Sequence, residues 1–272
     1  MIYPSSTTHP RDWYCNWNQG NKRTFGFGPA GETDPELIFR GSGEYTIYGA
    51  SDLNYSGQML VTGSTPRIYV RNTTAENGNE ILPPPATTWN DVEITFYCNT
   101  PNSGQNIDYA GIEAVARTNH DPDTALCSTR GYGGKINFDG RAQFEKETVH
   151  PEVKQTSDVY PFGKGKRMPL NVFIGYKFVV RACDNNTKVQ EELWMDMTNG
   201  LNGGTWIKLF EFTDYQGWCS DAPYCCTYHR GKVLLPPYMQ TNYTVYLRSD
   251  GLVNGGQQYY KKFSIRQVDP LP

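Results

Sequence analysis

Trp89-Asn-Asp-Val-Glu-Ile-Thr-Phe-Tyr97 alternates between two kinds of side chain. Trp89, Asp91, Glu93, Thr95 and Tyr97 fall on one face, and Val92, Ile94 and Phe96 on the other. A period of two is the mark of a strand, and the face carrying Val92, Ile94 and Phe96 is predicted to lie on a core. Upstream, residues 41–48 begin a strand-like stretch and Pro66–Arg71 alternates. Pro83-Pro84-Pro85 marks a loop, because proline cannot donate to an interior ladder. Downstream, Ala110–Thr118 alternates, and residues 134–140 run into an Asp139-Gly140 turn with 141–147 as the hairpin partner. The longest apolar run covers 172–181. It reaches an Asp184-Asn185-Asn186 turn, and 188–196 returns from it. Strand patterns follow at 205–212, 243–248 and 258–266, with an Asp250-Gly251 turn between the last two. No helix-length stretch has a 3.6-residue period. Residues 1–40 read as an irregular segment packed on the rest. The expectation is one all-β domain over 1–272, a two-sheet antiparallel β-sandwich of the jelly-roll kind.

Composition agrees with this reading. The 272 residues include 27 Gly, 18 Pro, 19 Tyr, 12 Phe and 6 Trp, a mixture suited to short strands joined by tight turns. Lys+Arg 25 against Asp+Glu 28 leaves a net charge of −3, without the basic excess that nucleic-acid binding needs. No apolar stretch reaches the ~18 residues of a membrane span. Met1–Gly20 has neither a basic nor an apolar leader region, so no signal peptide is expected in this chain. The seven cysteines are Cys15, Cys98, Cys127, Cys183, Cys219, Cys225 and Cys226. Cys219 lies close to the Cys225-Cys226 pair, which points to a small disulfide loop and an oxidising compartment. Zinc is the rival, but His229 is the only nearby histidine and the spacing fits no zinc pattern. Buried reduced thiols are the remaining reading.

Three stretches carry a family resemblance. They are the Trp89–Tyr97 strand, the block Ala116-Arg-Thr-Asn-His120 through Arg130-Gly-Tyr-Gly-Gly-Lys135 to Phe144-Glu-Lys-Glu147, and the ending from Thr244-Val-Tyr-Leu-Arg248 to Tyr260-Lys-Lys-Phe-Ser-Ile-Arg266. In strand order they resemble the concanavalin-like jelly-roll polysaccharide lyases of the alginate- and glucuronan-lyase type, over roughly residues 40 to 268. Two motifs of that family are incomplete here. Arg67-Ile-Tyr-Val-Arg71 lacks the family's Glu, and Thr118-Asn119-His120 lacks its Gln.

The resemblance implies β-elimination next to a uronic acid, in a groove on the concave sheet. That chemistry neutralises a carboxylate, removes a weakly acidic proton and protonates a leaving oxygen. The groups that fit are His120 and Tyr246 for proton transfer and Arg71, Arg117 and Asn119 for the carboxylate. Arg248, Lys135, Tyr132 and Tyr69 are the expected substrate contacts, with Tyr246 and Arg248 sharing one strand face. The implied partner is an anionic extracellular polysaccharide, acted on by a secreted monomer without a cofactor. Asp121, Asp123 and Asp139 could hold a structural Ca²⁺. Two other classes fit other residues of the chain. A glycoside hydrolase would use Glu145 and Glu147 with Asp139. A non-catalytic lectin-like module would stack sugars on Trp13, Trp17 or Trp218.

Overall fold

The computed structural model describes residues 1–7, 11–19, 24–27, 36–71, 89–101, 109–118, 131–149, 152–215, 244–253 and 256–272. Sixteen strands run through these residues. They are β1 (Asp12–Cys15), β2 (Thr24–Phe27), β3 (Glu36–Arg40), β4 (Tyr45–Tyr48), β5 (Gln58–Thr62), β6 (Arg67–Arg71), β7 (Val92–Asn99), β8 (Gly111–Thr118), β9 (Gly131–Asn137), β10 (Ala142–Val149), β11 (Glu152–Gln155), β12 (Ile174–Cys183), β13 (Lys188–Asp196), β14 (Trp206–Asp214), β15 (Thr244–Asp250) and β16 (Gln257–Gln267). One sheet has nine strands in the order β14-β13-β12-β7-β16-β1-β2, with β5 beside the first half of β16 and β4 beside β5. The other has seven in the order β11-β10-β9-β8-β15-β6-β3. Every pairing between named strands is antiparallel, so the chain is the expected all-β sandwich.

Alternation builds the core. Val92, Ile94 and Phe96 of β7 and Tyr176, Phe178 and Val180 of β12 face Ile112, Ala114 and Ala116 of β8 and Val245 and Leu247 of β15, all buried. A Cβ at Gly134 would meet the Phe178 ring at 2.6 Å, so the bare glycine lets the two sheets close. The turns behave as their residues demand. Asp184, Asn185 and Asn186 take φ of 49°, 55° and 64°, a region that Asn and Asp tolerate better than other side chains.

Three expectations need correction. Residues 1–40 are not irregular throughout, because β1 and β2 extend one sheet and β3 the other. Trp13 and Trp17 are not sugar platforms; each is 1% exposed in the core. Trp89 lies before β7 begins and belongs to the core, not to the outer face. The stretch with Cys219, Cys225 and Cys226, where a disulfide loop was expected, lies outside the described residues, as does Trp218. Cys15, Cys98 and Cys183 are free thiols, and burial pushes the first two up to about 12.

Candidate functional site

The outer face of the seven-stranded sheet collects most of the residues that chemistry singled out. Cross-strand register puts Gln143, Lys135, Glu113, Arg248 and Arg67 in one row. Gln155, Glu145, Gly133, Val115, Tyr246, Tyr69 and Ile38 form the next. Tyr246, Arg248, Lys135 and Tyr69 therefore share a face, but not an open one. Tyr246 is 1% exposed and packs on Tyr69, with ring centroids 5.0 Å apart, beside Val115 and Ile38. Burial pushes its phenol well above the usual tyrosine range.

Arg248 is occupied by the protein itself. Its Nε lies 2.5 Å from Glu113 Oε2 and 3.0 Å from Asp250 Oδ2, and its Nη2 lies 3.2 Å from Glu145 Oε2. Lys135 Nζ reaches Glu145 Oε1 at 3.2 Å, and Gln143 and Gln155 donate to the same oxygen. Gly133 makes room for this cluster, because a Cβ there would stand 1.9 Å from Glu113 Oε1.

The two carboxyls divide their roles. Burial raises Glu113 to about 8, against Arg248 and with help from the Glu145 charge. Burial also works on Glu145, but Lys135 and Arg248 overcome it and hold Glu145 below the usual range. Between its ordinary 4.5 and about 8, Glu113 is protonated when folded and ionised when unfolded. Stability should therefore fall as pH rises through that window. The urea midpoint of Glu113→Gln should show a flatter decline between these limits than the wild type. An identical slope in both proteins would refute the assignment.

Other expected site residues go elsewhere. Tyr132 is a correction: it lies three residues from Lys135, hence on the opposite face, where it points into the core and donates to Asp214 at 2.6 Å. Arg117 is also a correction. A register shift between β15 and β8 accompanies its φ of 49°, and its guanidinium turns to the Asn90 carbonyl and the Asp91 carboxylate, each at 2.7 Å, with no exposure left. Asp139 accepts both the amide and the Nε of Arg141 in the hairpin turn. Glu147 is half-buried one strand step beyond Glu145. Arg71 pairs in β6 with Thr244 and Glu36. Asn119, His120, Asp121 and Asp123 lie outside the described residues.

The outer face of the nine-stranded sheet is different. It carries a cleft of about 230 Å³ lined by Glu93, Thr95, Tyr97, Lys177, Gly200, Gly203, Trp206, Lys262, Ser264 and Arg266, with Met1 at the margin. The buried Tyr97 ring lies at its floor and half-buried Trp206 at its side, with centroids 5.7 Å apart. They close over Gly175, where a Cβ would meet Tyr97 at 2.7 Å and Trp206 at 2.9 Å. Asp196 anchors the rim. It accepts the Tyr97 hydroxyl at 3.0 Å, the Gly200 and Thr205 amides at 2.9 Å, and both the amide and the hydroxyl of Thr198. Burial opposes its charge, yet these donors hold it at about 2.

Charge in the cleft is unbalanced. Among the described residues Glu93 is the one carboxylate of the lining, and it is shared by Lys177 at 2.8 Å and Arg266 at 3.0 Å. Lys262 is a further cation, exposed over the Tyr97 ring at 5.4 Å. A β-bulge puts it there. Tyr260 and Phe263 both face the core, and the register skips one residue of β16 between Lys261 and Ser264. Lys262 takes φ 51°, a conformation that costs a lysine roughly 1–3 kcal/mol. Two neighbouring lysines thus share one face. Burial, with Lys262 as the second cause, lowers Lys261 to about 8. The reading of 258–266 as a regular strand missed this. The three-residue step from Tyr260 to Phe263 was the available signal. Glu113 was missed too, as a carboxylate in the middle of an otherwise apolar strand.

Fold and face together define a two-sheet β-sandwich with an aromatic-floored cleft carrying excess positive charge. No family model matches the chain, and no curated protein matches it. Among solved structures it is similar to the binding domain of botulinum neurotoxin serotype D, at 10% identity and TM-score 0.44, covering 95% of this chain and 48% of that one. It is similar to the binding domain of Paraclostridial Mosquitocidal Protein 1, at 13% identity and TM-score 0.46, covering 94% and 48%. A third is the exoplasmic/lumenal domain of VIP36 in its Ca2+/Man3GlcNAc-bound form, at 10% identity and TM-score 0.41, covering 86% and 84%. The chain spans about half the length of the toxin domains it matches.

Proposed function

We propose that this protein is a carbohydrate-binding β-sandwich that holds a glycan at the Trp206 cleft without cutting it. The observation that carries this is a contrast between the two outer faces. On the seven-stranded sheet, Arg248 is engaged by three carboxyls and Tyr246 is walled in, so neither is available to a uronate. On the nine-stranded sheet, a half-exposed indole stands beside cations and polar groups over the Tyr97 floor, the combination that packs a sugar face and orients its hydroxyls.

The test uses one preparation of the full chain. Binding to a panel of neutral and acidic glycans should be detectable by calorimetry, and Trp206→Ala should weaken it by at least ~10-fold. Polyuronates should give no unsaturated, ultraviolet-absorbing products and no new reducing ends. Appearance of the unsaturated product would restore β-elimination, with His120 as the first residue to substitute.

One observation favours hydrolysis as a second reading. A protonated Glu113 beside an ionised Glu145 is the division of roles that glycoside hydrolases use. Both carboxyls are buried, at 2% and 3% exposure. Reducing ends released by the wild type and lost in Glu113→Gln would establish that activity.

A further inference from the structure

The outer face of the nine-stranded sheet carries one uninterrupted cross-strand row. Register aligns Trp206, Asp196, Gly175, Tyr97, Lys261, Gln58 and Tyr48 on seven successive strands. Strand spacing of ~4.8 Å makes this row about 29 Å long between its end backbones; because the Trp206 indole leans over Gly175, it stands four strand steps, roughly 19 Å, from Tyr48. Its two ends are aromatic, Lys261 and Lys262 make its middle cationic, and the Asp196 carboxylate in the row is turned to Tyr97 and to its own loop. At one end stands half-buried Trp206, its indole packed against the buried Tyr97 ring. At the other, Tyr48, Tyr55 and Tyr259 form a surface stack, with successive centroids 5.2 and 5.6 Å apart and Tyr55 44% exposed. Between them, Lys261 and Lys262 stand side by side because of the bulge, and neither meets a carboxylate among the described residues. Lys261 Nζ instead donates to Asn199 Oδ1 and lies 3.8 Å above the Phe173 ring, while Lys262 reaches over Tyr97.

We infer that the ligand is an acidic oligosaccharide lying across the strands along this row, from Trp206 to the Tyr48–Tyr55–Tyr259 stack, with its acid groups on Lys261 and Lys262. This rests on the reading of the Trp206 cleft as a sugar site and adds the ligand's charge, length and direction to it. Like charges on adjacent residues of one face repel, and a bulge that sets two lysines together is held at a cost. An anion between the two ammoniums would relieve both repulsion and unpaired charge. Flat aromatic rings at each end suit the apolar faces of sugar rings, and a row of this length requires a chain, not a single residue. The protein's net charge of −3 makes this cationic strip a local feature, suited to a specific acidic chain and not to general polyanion capture.

The experiment is calorimetry on the full chain at low and high salt. Glucuronate oligomers of two and six units are compared with neutral glucose oligomers of the same lengths. The acidic hexamer should bind roughly 10-fold more tightly than both the acidic dimer and the neutral hexamer, and high salt should remove the second difference. Lys261→Gln with Lys262→Gln should lower affinity for the acidic hexamer roughly 10-fold more than it lowers affinity for the neutral hexamer. Both lysines are on the surface side of the sheet, and circular dichroism checks that the double variant folds. Tyr55→Ala should weaken the hexamer but not the dimer. If neutral and acidic hexamers bind alike and the lysine variant behaves as wild type while Trp206→Ala still loses binding, the acidic-chain inference falls and the sugar site stands. If no oligomer binds, or Trp206→Ala changes nothing, both fall. Preference for single-stranded RNA over every glucuronate oligomer would also overturn the inference.

Discussion

Asp196→Ala should lower stability by about 3–4 kcal/mol and abolish glycan binding together. The carboxylate accepts from Tyr97, Thr198, Gly200 and Thr205, so one side chain ties β7 to the loop that follows β13. Each charge-assisted bond contributes about 1.5–3 kcal/mol net, and the shared acceptor makes their sum less than additive. Removing it leaves several donors unpaired, three of them amides of the loop and its exit, and releases the rim on which Gly200 and Gly203 line the cleft. In a chain of this size the melting temperature should drop by roughly 10 °C. A pH titration supplies an independent check. The folded-state value is about 2 against an ordinary 3.8, so the stabilisation is fully present above 3.8 and is lost as pH falls through 2. The variant should lack this acid-side decline. A variant that melts with the wild type and still binds would show that the loop does not depend on Asp196.

Arg248→Met should cost about 3–5 kcal/mol, because it leaves Glu113, Glu145 and Asp250 around a buried space where, among the described residues, only Lys135 is still paired to one of them. Chemical denaturation is the measurement. Arg248→Lys should recover only part of the loss, since an ammonium cannot reproduce the planar fork that spans three carboxyls. The result also separates two roles for this arginine. A substrate-holding arginine on an open groove would lose function with little effect on folding. A structural hub would do the reverse, and the packing of Glu113 into the space above Gly133 puts Arg248 in the second class.

Much of the fold was legible because the period-two alternation is long where the sheet is central. The pattern at 188–196 coincides with β13, and 172–181 falls within one or two residues of β12. Strands β1, β2, β3, β5 and β11 escaped. They are four or five residues long, too short for alternation to stand out from loops rich in Gly, Asn and Thr. Alternation also set Tyr246 beside Arg248, and Tyr69 opposite Tyr246 followed once the strands paired. It could not tell whether that face is open or covered, since the same period appears on a solvated groove and on a buried charged layer.

The amino-acid sequence by itself determined the fold class, the main hairpins and the faces on which most charged and aromatic groups lie, because those depend on local periodicity and turn chemistry. Only the tertiary structure decided how the charges meet. Arg248, Glu113 and Glu145 come from three strands far apart in the chain, and their pairing depends on register and on the space left by Gly133. Lys261, Tyr97, Trp206 and Tyr48 likewise become neighbours along one row only when six strand pairings fix their positions. Long-range register is set by the burial of whole faces, and no short window of sequence contains it.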